Sequence, residues 1–188
     1  MMGNSFGAPF PFYPRGSMLS GNIWRLAYPE DWIVIPTSVG WNKYGEAVMG
    51  GPNINGQARA LFPELPFWYG QQCQMMGDSQ VLPWEEGRLI LFPTKSLNRR
   101  KPHLSWKNFV SHETVAISLR QLVRLVPKLL GGNILLPPVG CTERDGLFLS
   151  AIAPLLMEAV EAQPRIILVR PPVLYETPCP SAKSAPRK

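Results

Sequence analysis

The stretch Gly87-Arg-Leu-Ile-Leu-Phe92 decides the fold, because it is a short, continuous apolar run that Pro93 ends. Three runs of the same kind lie elsewhere in the chain: Trp32-Ile-Val-Ile35, Asn133-Ile-Leu-Leu136 and Arg165-Ile-Ile-Leu-Val169. Strands that lack alternating polar residues are buried on both faces, so their sheet needs helices on both sides. Apolar stripes at helical spacing predict these helices, at about 55–62, 115–126 and 148–160. The sequence therefore predicts an α/β fold, a three-layer α/β/α sandwich with a mostly parallel central sheet.

The composition fits one folded domain with short ends. The chain has 188 residues, of which 45% are hydrophobic and 17% charged, and a formal net charge of +6; these values exclude disorder throughout. We expect an irregular N-terminal arm at 1–19, a domain at 20–175 and a disordered basic tail at 176–188.

Several classes of protein are excluded. No apolar run approaches the roughly 18 residues of a membrane span, and the N-terminal residues lack the apolar core of a signal peptide. The three cysteines are far apart and lack metal-ligand spacing: Cys73, Cys141 and Cys179. We therefore expect a cytoplasmic protein with no metal, no cofactor and no membrane partner.

Two glycine-rich segments leave predicted strands, where ligands of open α/β sheets bind. Segment 36–53 contains four glycines, which let backbone N–H groups approach a phosphate, and it precedes a helix whose N-terminus favours negative charge. Segment 137–146 combines Gly140 and Gly146 with two carboxylates. On composition alone a surface loop is the simpler explanation of segment 36–53, and a helix cap is the simpler role for Asp145 in segment 137–146.

The segment after Phe92 is basic. From Lys95 to Lys107 it has five cations and no acid, with His103 and Trp106 between them. Cations interleaved with an aromatic fit a polyanion groove, in which bases stack and phosphates pair, and a solvated loop is the equal alternative. Lys95 differs from the other cations, because it lies where a buried strand emerges and desolvation there would make its amine nucleophilic.

In order and spacing, over about 21–170, these segments resemble a macrodomain, the ADP-ribose-binding α/β/α fold. Gly45-Glu-Ala-Val-Met-Gly50, with the helix that ends Leu61-Phe-Pro-Glu-Leu-Pro66, resembles the family's phosphate loop and its helix. Leu136-Pro-Pro-Val-Gly-Cys141 resembles its second loop. Phe92-Pro-Thr-Lys95 resembles a strand end in the subgroup of terminal ADP-ribose protein glycohydrolase and the DNA ADP-ribosyl glycohydrolase antitoxins.

The resemblance implies a hydrolase that removes ADP-ribose from a nucleic acid or a protein. It implies that Lys95 attacks or stabilises the anomeric carbon of the distal ribose, with Asp145, and Glu143 second, as the acid/base partner. It also implies ligand contacts from both loops and from two strand ends: Thr37, Ser38, Ala47, Val48, Met49, Gly50, Gly51, Thr94, Val139, Gly140, Cys141, Thr142, Arg144 and Gly146.

The sequence departs from the family pattern in three places. Pro36 stands where the family's first strand carries asparagine, 51–55 are one residue longer than the family's helix start, and 142–144 replace a glycine-rich stretch of the second loop. The changes at Pro36 and at 142–144 motivate two alternatives to the hydrolase: a non-catalytic reader of ADP-ribose, and a module for a related nucleotide signal.

Overall fold

The computed structural model describes residues 18–77, 80–140 and 149–171, which form a sheet with helices on both faces. Its strands are β1 (Met18–Ser20), β2 (Trp32–Ser38), β3 (Leu82–Trp84), β4 (Leu89–Lys95), β5 (Ile134–Leu136) and β6 (Ile166–Arg170). Its α-helices are α1 (Ile23–Leu26), α2 (Ile54–Leu61), α3 (Leu65–Met76), α4 (His112–Leu125) and α5 (Leu149–Ala162). Two 3-10 turns lie at Pro102–Lys107 and Val126–Lys128.

The strand order is β1-β6-β5-β2-β4-β3, and every pair is parallel except β3 with β4. After β2 the chain continues into α2 and α3 on one face of the sheet, whereas after β4 it continues into α4 on the other face. Connections that leave neighbouring strands toward opposite faces open a crevice beyond the strand ends. The crevice of this protein therefore lies between the carboxyl ends of β2 and β4.

The core explains why the central strands read as continuous apolar runs. In β2, Trp32 and Val34 pack with α4 and α5, while Ile33 and Ile35 pack with α2 and α3. Each successive side chain of a strand points to the opposite face, so a strand covered on both sides needs apolar residues at every position. The predicted three-layer architecture is confirmed.

Four elements differ from the sequence prediction. β1 begins at Met18, inside segment 1–19 that was predicted to be irregular, and pairs with Leu168 of β6. α1, α3 and β3 were not predicted. Pro66 is compatible with α3 because it lies in the first helical turn, where the backbone N–H has no helical partner. Residues 1–17 and 172–188 lie outside the described residues, so the arm and the tail remain predictions.

Arg165 precedes β6 and lies at the end of the sheet opposite the crevice. Its Nε donates a hydrogen bond to the Gly132 carbonyl at 2.8 Å, and its Nη1 donates to Val126 and Leu129 at 3.0 Å each. Burial lowers the pKa of Arg165, and the nearby Asp31 carboxylate opposes that shift. The Arg165 side chain thus joins the start of β6 to the turns between α4 and β5.

We expect Arg165→Met to lower the free energy of unfolding by about 2–4 kcal/mol, because several carbonyls lose a charged donor. Urea denaturation followed by circular dichroism measures this. Arg124→Met is the matched control, because Arg124 lies exposed on α4. Equal stability of the two variants would contradict the structural role given to Arg165.

Candidate functional site

The ends of β2 and β4 are joined by side-chain hydrogen bonds. The Thr94 hydroxyl donates to the Thr37 carbonyl at 3.1 Å, and both threonines are buried. The pairing shifts register between Thr37 and Ser38, which brings partly exposed Ser38 opposite Lys95. Among these predicted site residues, Ser38 and Lys95 therefore lie at the edge of the crevice. Thr37 and Thr94 support this edge by joining β2 to β4.

Asn42 shapes the turn at the start of the first loop, which comprises 40–51. Its Oδ1 accepts hydrogen bonds from the backbone N–H groups of Tyr44 at 2.8 Å and Glu46 at 3.1 Å. Its Nδ2 donates to the Glu46 carboxylate at 3.1 Å, and its carbonyl accepts from Gly45 at 3.0 Å. Gly45 has a φ of +79°, a conformation that favours glycine. The turn is therefore closed by its own hydrogen bonds.

One face of α3 supports the first loop. Pro66, Tyr69, Gly70 and Cys73 have the spacing that places residues on a single helical face. The Pro66 carbonyl accepts a hydrogen bond from Ala47 N–H at 2.7 Å. Gly70 packs directly on the loop backbone, where a Cβ atom would lie 2.6 Å from the Ala47 nitrogen. The helix and the loop thus fit each other through backbone contacts.

A buried polar chain connects α3 to the end of β2. The Tyr69 hydroxyl lies 2.9 Å from the Thr37 Oγ1. Burial, and then the neighbouring Cys73, raise the pKa of Tyr69 well above its usual value, and the hydrogen bond with Thr37 opposes them. Burial also raises the pKa of Cys73, and a hydrogen bond from the Gly40 backbone partly offsets this. Both side chains therefore stay neutral at physiological pH and hold the segment from Thr37 to Gly40.

The middle of the first loop offers backbone donors to a ligand. Val48, Gly50 and Gly51 are exposed, and within the part of the chain that the structure describes their N–H groups donate to no protein acceptor. By contrast, the N–H groups of Ala47 and Met49 bond to carbonyls inside the protein. Adjacent free N–H groups attract anionic oxygens. These three residues of the predicted phosphate loop can therefore contact a diphosphate.

The N-terminus of α2 was predicted to favour a negative charge, but two of its N–H groups are already bonded to the Asn53 side chain. The Asn53 side chain caps α2 by accepting from the N–H groups of Asn55 at 3.1 Å and Gly56 at 3.3 Å. Those two donors are therefore already used within the protein. Arg59 of α2 instead supports the loop, because its Nη1 donates to the Met49 carbonyl at 3.1 Å.

Lys95 ends β4 at the edge of the crevice and begins the basic segment, which comprises 95–107. Its Nζ donates a hydrogen bond to the Trp106 carbonyl at 2.7 Å. The first loop meets this segment at Gly40, which has no room for a Cβ atom against the Pro102 carbonyl and the Ser105 hydroxyl. The loops that follow β2 and β4 are therefore in direct contact.

The second loop is described only at its beginning. Val139 is fully buried, and Gly140 has a φ of +79° with its Cβ position 3.0 Å from Val115 of α4. Both predicted residues thus pack inward at this point. The remaining second-loop predictions lie outside the described residues: Cys141, Thr142, Glu143, Arg144, Asp145 and Gly146. The partnership of Lys95 with an acid therefore stays a prediction.

No three histidine, cysteine, aspartate or glutamate side chains within 18–77, 80–140 and 149–171 are placed to share a metal ion. No helix in those ranges is long and apolar enough to cross a membrane. A groove of about 180 Å³ between α4 and α5 lies on the face of the sheet away from the first loop.

Sequence reasoning missed the residues that support the first loop. Asn42 is the only one with a local signal, because an asparagine two residues before a turn often bonds to the following backbone. Tyr69, Gly70 and Cys73 act on a segment some 30 residues earlier in the chain, and no local pattern reports such contacts. Cys73 is a free, buried thiol.

Comparison with known proteins finds similarity in structure. No protein-family model and no curated protein sequence matches the chain. The macrodomain of Mycobacterium tuberculosis DarG is 22% identical with a TM-score of 0.62, and the match covers 83% of this chain and 96% of that one. The macrodomain of Thermus aquaticus DarG is 25% identical with a TM-score of 0.60, over 82% and 95% of the two chains.

A third solved structure is that of Thermosipho africanus DarTG in complex with ADP-ribose. It is 18% identical with a TM-score of 0.55, and the match covers 77% of this chain and 38% of that one. Structural similarity at these sequence identities shows that the chains share a fold. The protein therefore has the macrodomain fold, which confirms the resemblance seen in its two loops and in its Phe92–Lys95 strand end.

Proposed function

We propose that this protein binds ADP-ribose in the crevice between β2 and β4 and hydrolyses the bond that joins ADP-ribose to a macromolecule. The observation that carries the proposal is the set of exposed, unbonded N–H groups at Val48, Gly50 and Gly51, which suits the diphosphate. The fold and the ADP-ribose held by the similar Thermosipho africanus protein support the choice of ligand.

The hydrolysis is assigned to Lys95 with an acid of the second loop. A glycosidic bond at an anomeric carbon breaks through an oxocarbenium-like state, which a nearby carboxylate stabilises. In our proposal the Lys95 amine forms a bond to this carbon, while the macromolecule leaves with a proton from Asp145 or Glu143. Water then releases ADP-ribose and restores the amine. Lys95 supports this role by its place at the crevice edge.

The basic segment favours a nucleic acid as the macromolecule. Arg99, Arg100, Lys101 and Lys107 are exposed, and the Lys107 Nζ lies 5.3 Å from the centre of the Trp106 ring. Exposed cations pair with phosphates, and an exposed aromatic ring stacks on a base. We also infer a cytosolic location, with which the free thiol of Cys73 agrees.

Titration calorimetry with free ADP-ribose tests the binding. We expect saturable binding, and at a ligand concentration about 100 times Kd the protein gains about 2.7 kcal/mol of stability. This gain also appears as a rise in Tm. A wild-type protein that shows neither heat nor a change in Tm with ADP-ribose would overturn the proposed function. Incubation with ADP-ribosylated DNA, RNA and protein, side by side, then identifies the substrate.

A non-catalytic reader is the second candidate. The observation that favours it is the hydrogen bond from Lys95 to the Trp106 carbonyl, which orients the amine toward the basic segment. A reader binds ADP-ribose with the same affinity but releases no product from any ADP-ribosylated carrier. Measured release of ADP-ribose by the wild-type protein excludes it.

A further inference from the structure

An apolar groove lies between α5 and the edge strand β1. On this side of the sheet α4 packs over β4 and α5 packs over β6, whereas Met18 of β1 remains exposed. The groove has a volume of about 80 Å³, and its walls include Met18, Leu168, Leu156 and Met157. Arg170 is the one charged residue among the described residues that line it. We call this site the edge groove.

Two long apolar side chains of the edge groove face solvent. Met157 of α5 is 39% exposed and Met18 is 44% exposed, whereas Leu156 in the same groove is 3% exposed. Methionine adapts its flexible side chain to irregular partners, and apolar side chains exposed together in one concave site are typical of a surface that another segment covers. The edge groove therefore fits a further apolar segment.

The chain itself supplies such a segment, because residues 1–17 join the edge groove at Met18. They contain a single charged side chain, Arg15, and four aromatic ones: Phe6, Phe10, Phe12 and Tyr13. Prolines at 9, 11 and 14 have no backbone N–H group. A buried N–H group without a partner is costly in an apolar site, so a segment with few such donors suits this groove.

The length of the connection allows the nearest aromatic residues to reach the groove. Tyr13 lies five residues before Met18, a span of at most about 18 Å in an extended chain. The intervening Pro14-Arg-Gly-Ser17 has the composition of a turn, which favours a reversal of the chain onto the groove. A tether this short holds the aromatic residues at an effective concentration on the order of 1 mM, so weak contacts suffice.

The other end of the chain also leaves from the edge groove, but its sequence favours a different direction. Arg170 lines the groove, and Pro171 and Pro172 follow it. Consecutive prolines favour an extended chain, which carries 173–188 away from the end of β6. The sequence thus favours the segment before β1 as the occupant.

We propose that Phe12 and Tyr13 dock into the edge groove, so that the segment before β1 covers Met18 and Met157. The aromatic side chains bury the exposed apolar surface beside α5, and the three prolines limit the number of unpaired donors. Docking also ties β1 to α5, since the same segment contacts both. This inference does not depend on the proposed function, because the edge groove involves none of the residues assigned to ADP-ribose.

Oxidation of methionine by hydrogen peroxide, followed residue by residue with mass spectrometry, tests the proposal. We expect Met157 of the full chain to oxidise about tenfold more slowly than after deletion of 2–13, as it does if the groove is open about one-tenth of the time. Met75 on α3 is 72% exposed and should oxidise at the same rate in both proteins. Buried Met49, which is 2% exposed, reports whether the fold stays intact.

Paired substitutions in the full chain make the test independent of the deletion. Phe12→Lys with Tyr13→Lys should speed the oxidation of Met157 as the deletion does, because a charge resists burial beside Arg170. Asn4→Lys with Ser5→Lys is the matched control, which adds the same charges at polar positions and should leave Met157 protected. If the deletion also exposes Met49, this pair of variants decides.

Three results would overturn the proposal. The first is oxidation of Met157 at one rate in the wild type, the deletion and the Phe12→Lys, Tyr13→Lys variant. The second is a faster oxidation that appears only after deletion of 173–188, which would make the other end of the chain the occupant. The third is protection that disappears on dilution of the protein, which would make a second copy of the chain the occupant.

Discussion

Replacing Gly70 by alanine is expected to lower the affinity for ADP-ribose about tenfold or more. The new Cβ would overlap the Gly45 carbonyl and lie 2.6 Å from the Ala47 nitrogen and 2.8 Å from the Glu46 carbonyl carbon. All three contacts are with backbone, which cannot rotate away as a flexible side chain can. The first loop must therefore move off α3, which displaces its free N–H groups from their present positions.

Calorimetry and urea denaturation of the same variant separate binding from stability. We expect Gly70→Ala to lose about 1–3 kcal/mol of unfolding free energy, as overpacked sites do. Gly77→Ala is the matched control. Gly77 ends the same helix with a φ of +69°, so alanine there is strained, but its Cβ position has open space. A Gly70→Ala protein with wild-type affinity would show that the loop does not need its fit to α3.

The second large effect is expected at Lys95. Lys95→Ala should reduce the release of ADP-ribose about 10²- to 10⁴-fold, because the reaction loses the group that stabilises or captures the anomeric carbon. Binding of free ADP-ribose should change little, because the proposed diphosphate contacts come from the first loop. The Lys95 side chain also bonds to the Trp106 carbonyl, so its removal frees an acceptor at the edge of the basic segment.

Single-turnover release of ADP-ribose from a labelled carrier measures this effect, with Kd from calorimetry alongside. Lys95→Arg keeps a positive charge but replaces the primary amine with a guanidinium group. Partial activity of this variant would indicate that Lys95 acts through its charge, whereas loss of all activity would indicate that its amine bonds to the anomeric carbon. Lys128→Ala controls for the loss of one exposed cation, because Lys128 lies in the turn after α4. Turnover of Lys95→Ala at the wild-type rate would remove Lys95 from the mechanism.

The central sheet could be predicted because burial on both faces requires apolar residues at successive positions of a strand. β2 and β4 are apolar at successive positions, and α4 shows one apolar stripe from Val115 to Leu122. The edge strands β1 and β3 have three residues each, which is too short for a pattern to stand out. α3 faces both the sheet and the first loop, so its apolar and polar residues are not segregated.

The site could be predicted in part. The glycines at 45, 50 and 51 and the emergence of Lys95 from a buried strand are local features, and the structure places them after β2 and at the end of β4. The roles of Tyr69 and Gly70 depend on a tertiary contact with the first loop, so the sequence carries no local sign of them. The hydrogen bond from the Thr94 hydroxyl to the Thr37 carbonyl likewise joins two strands that are far apart in the chain, and the ligand contacts of these threonines stay a prediction.

The support of the first loop by α3 has a consequence for protein engineering. Both parts lie within 37–77, a single uninterrupted piece of chain whose members recognise each other mainly through backbone atoms. A graft into another α/β protein would need the whole of 37–77. The first loop alone would pack against a helix that lacks a glycine at the contact, so the two backbones could not approach as closely. Within that piece, side chains that point outward are open to redesign, so the proposed diphosphate contacts could be transferred while the residues around them are changed.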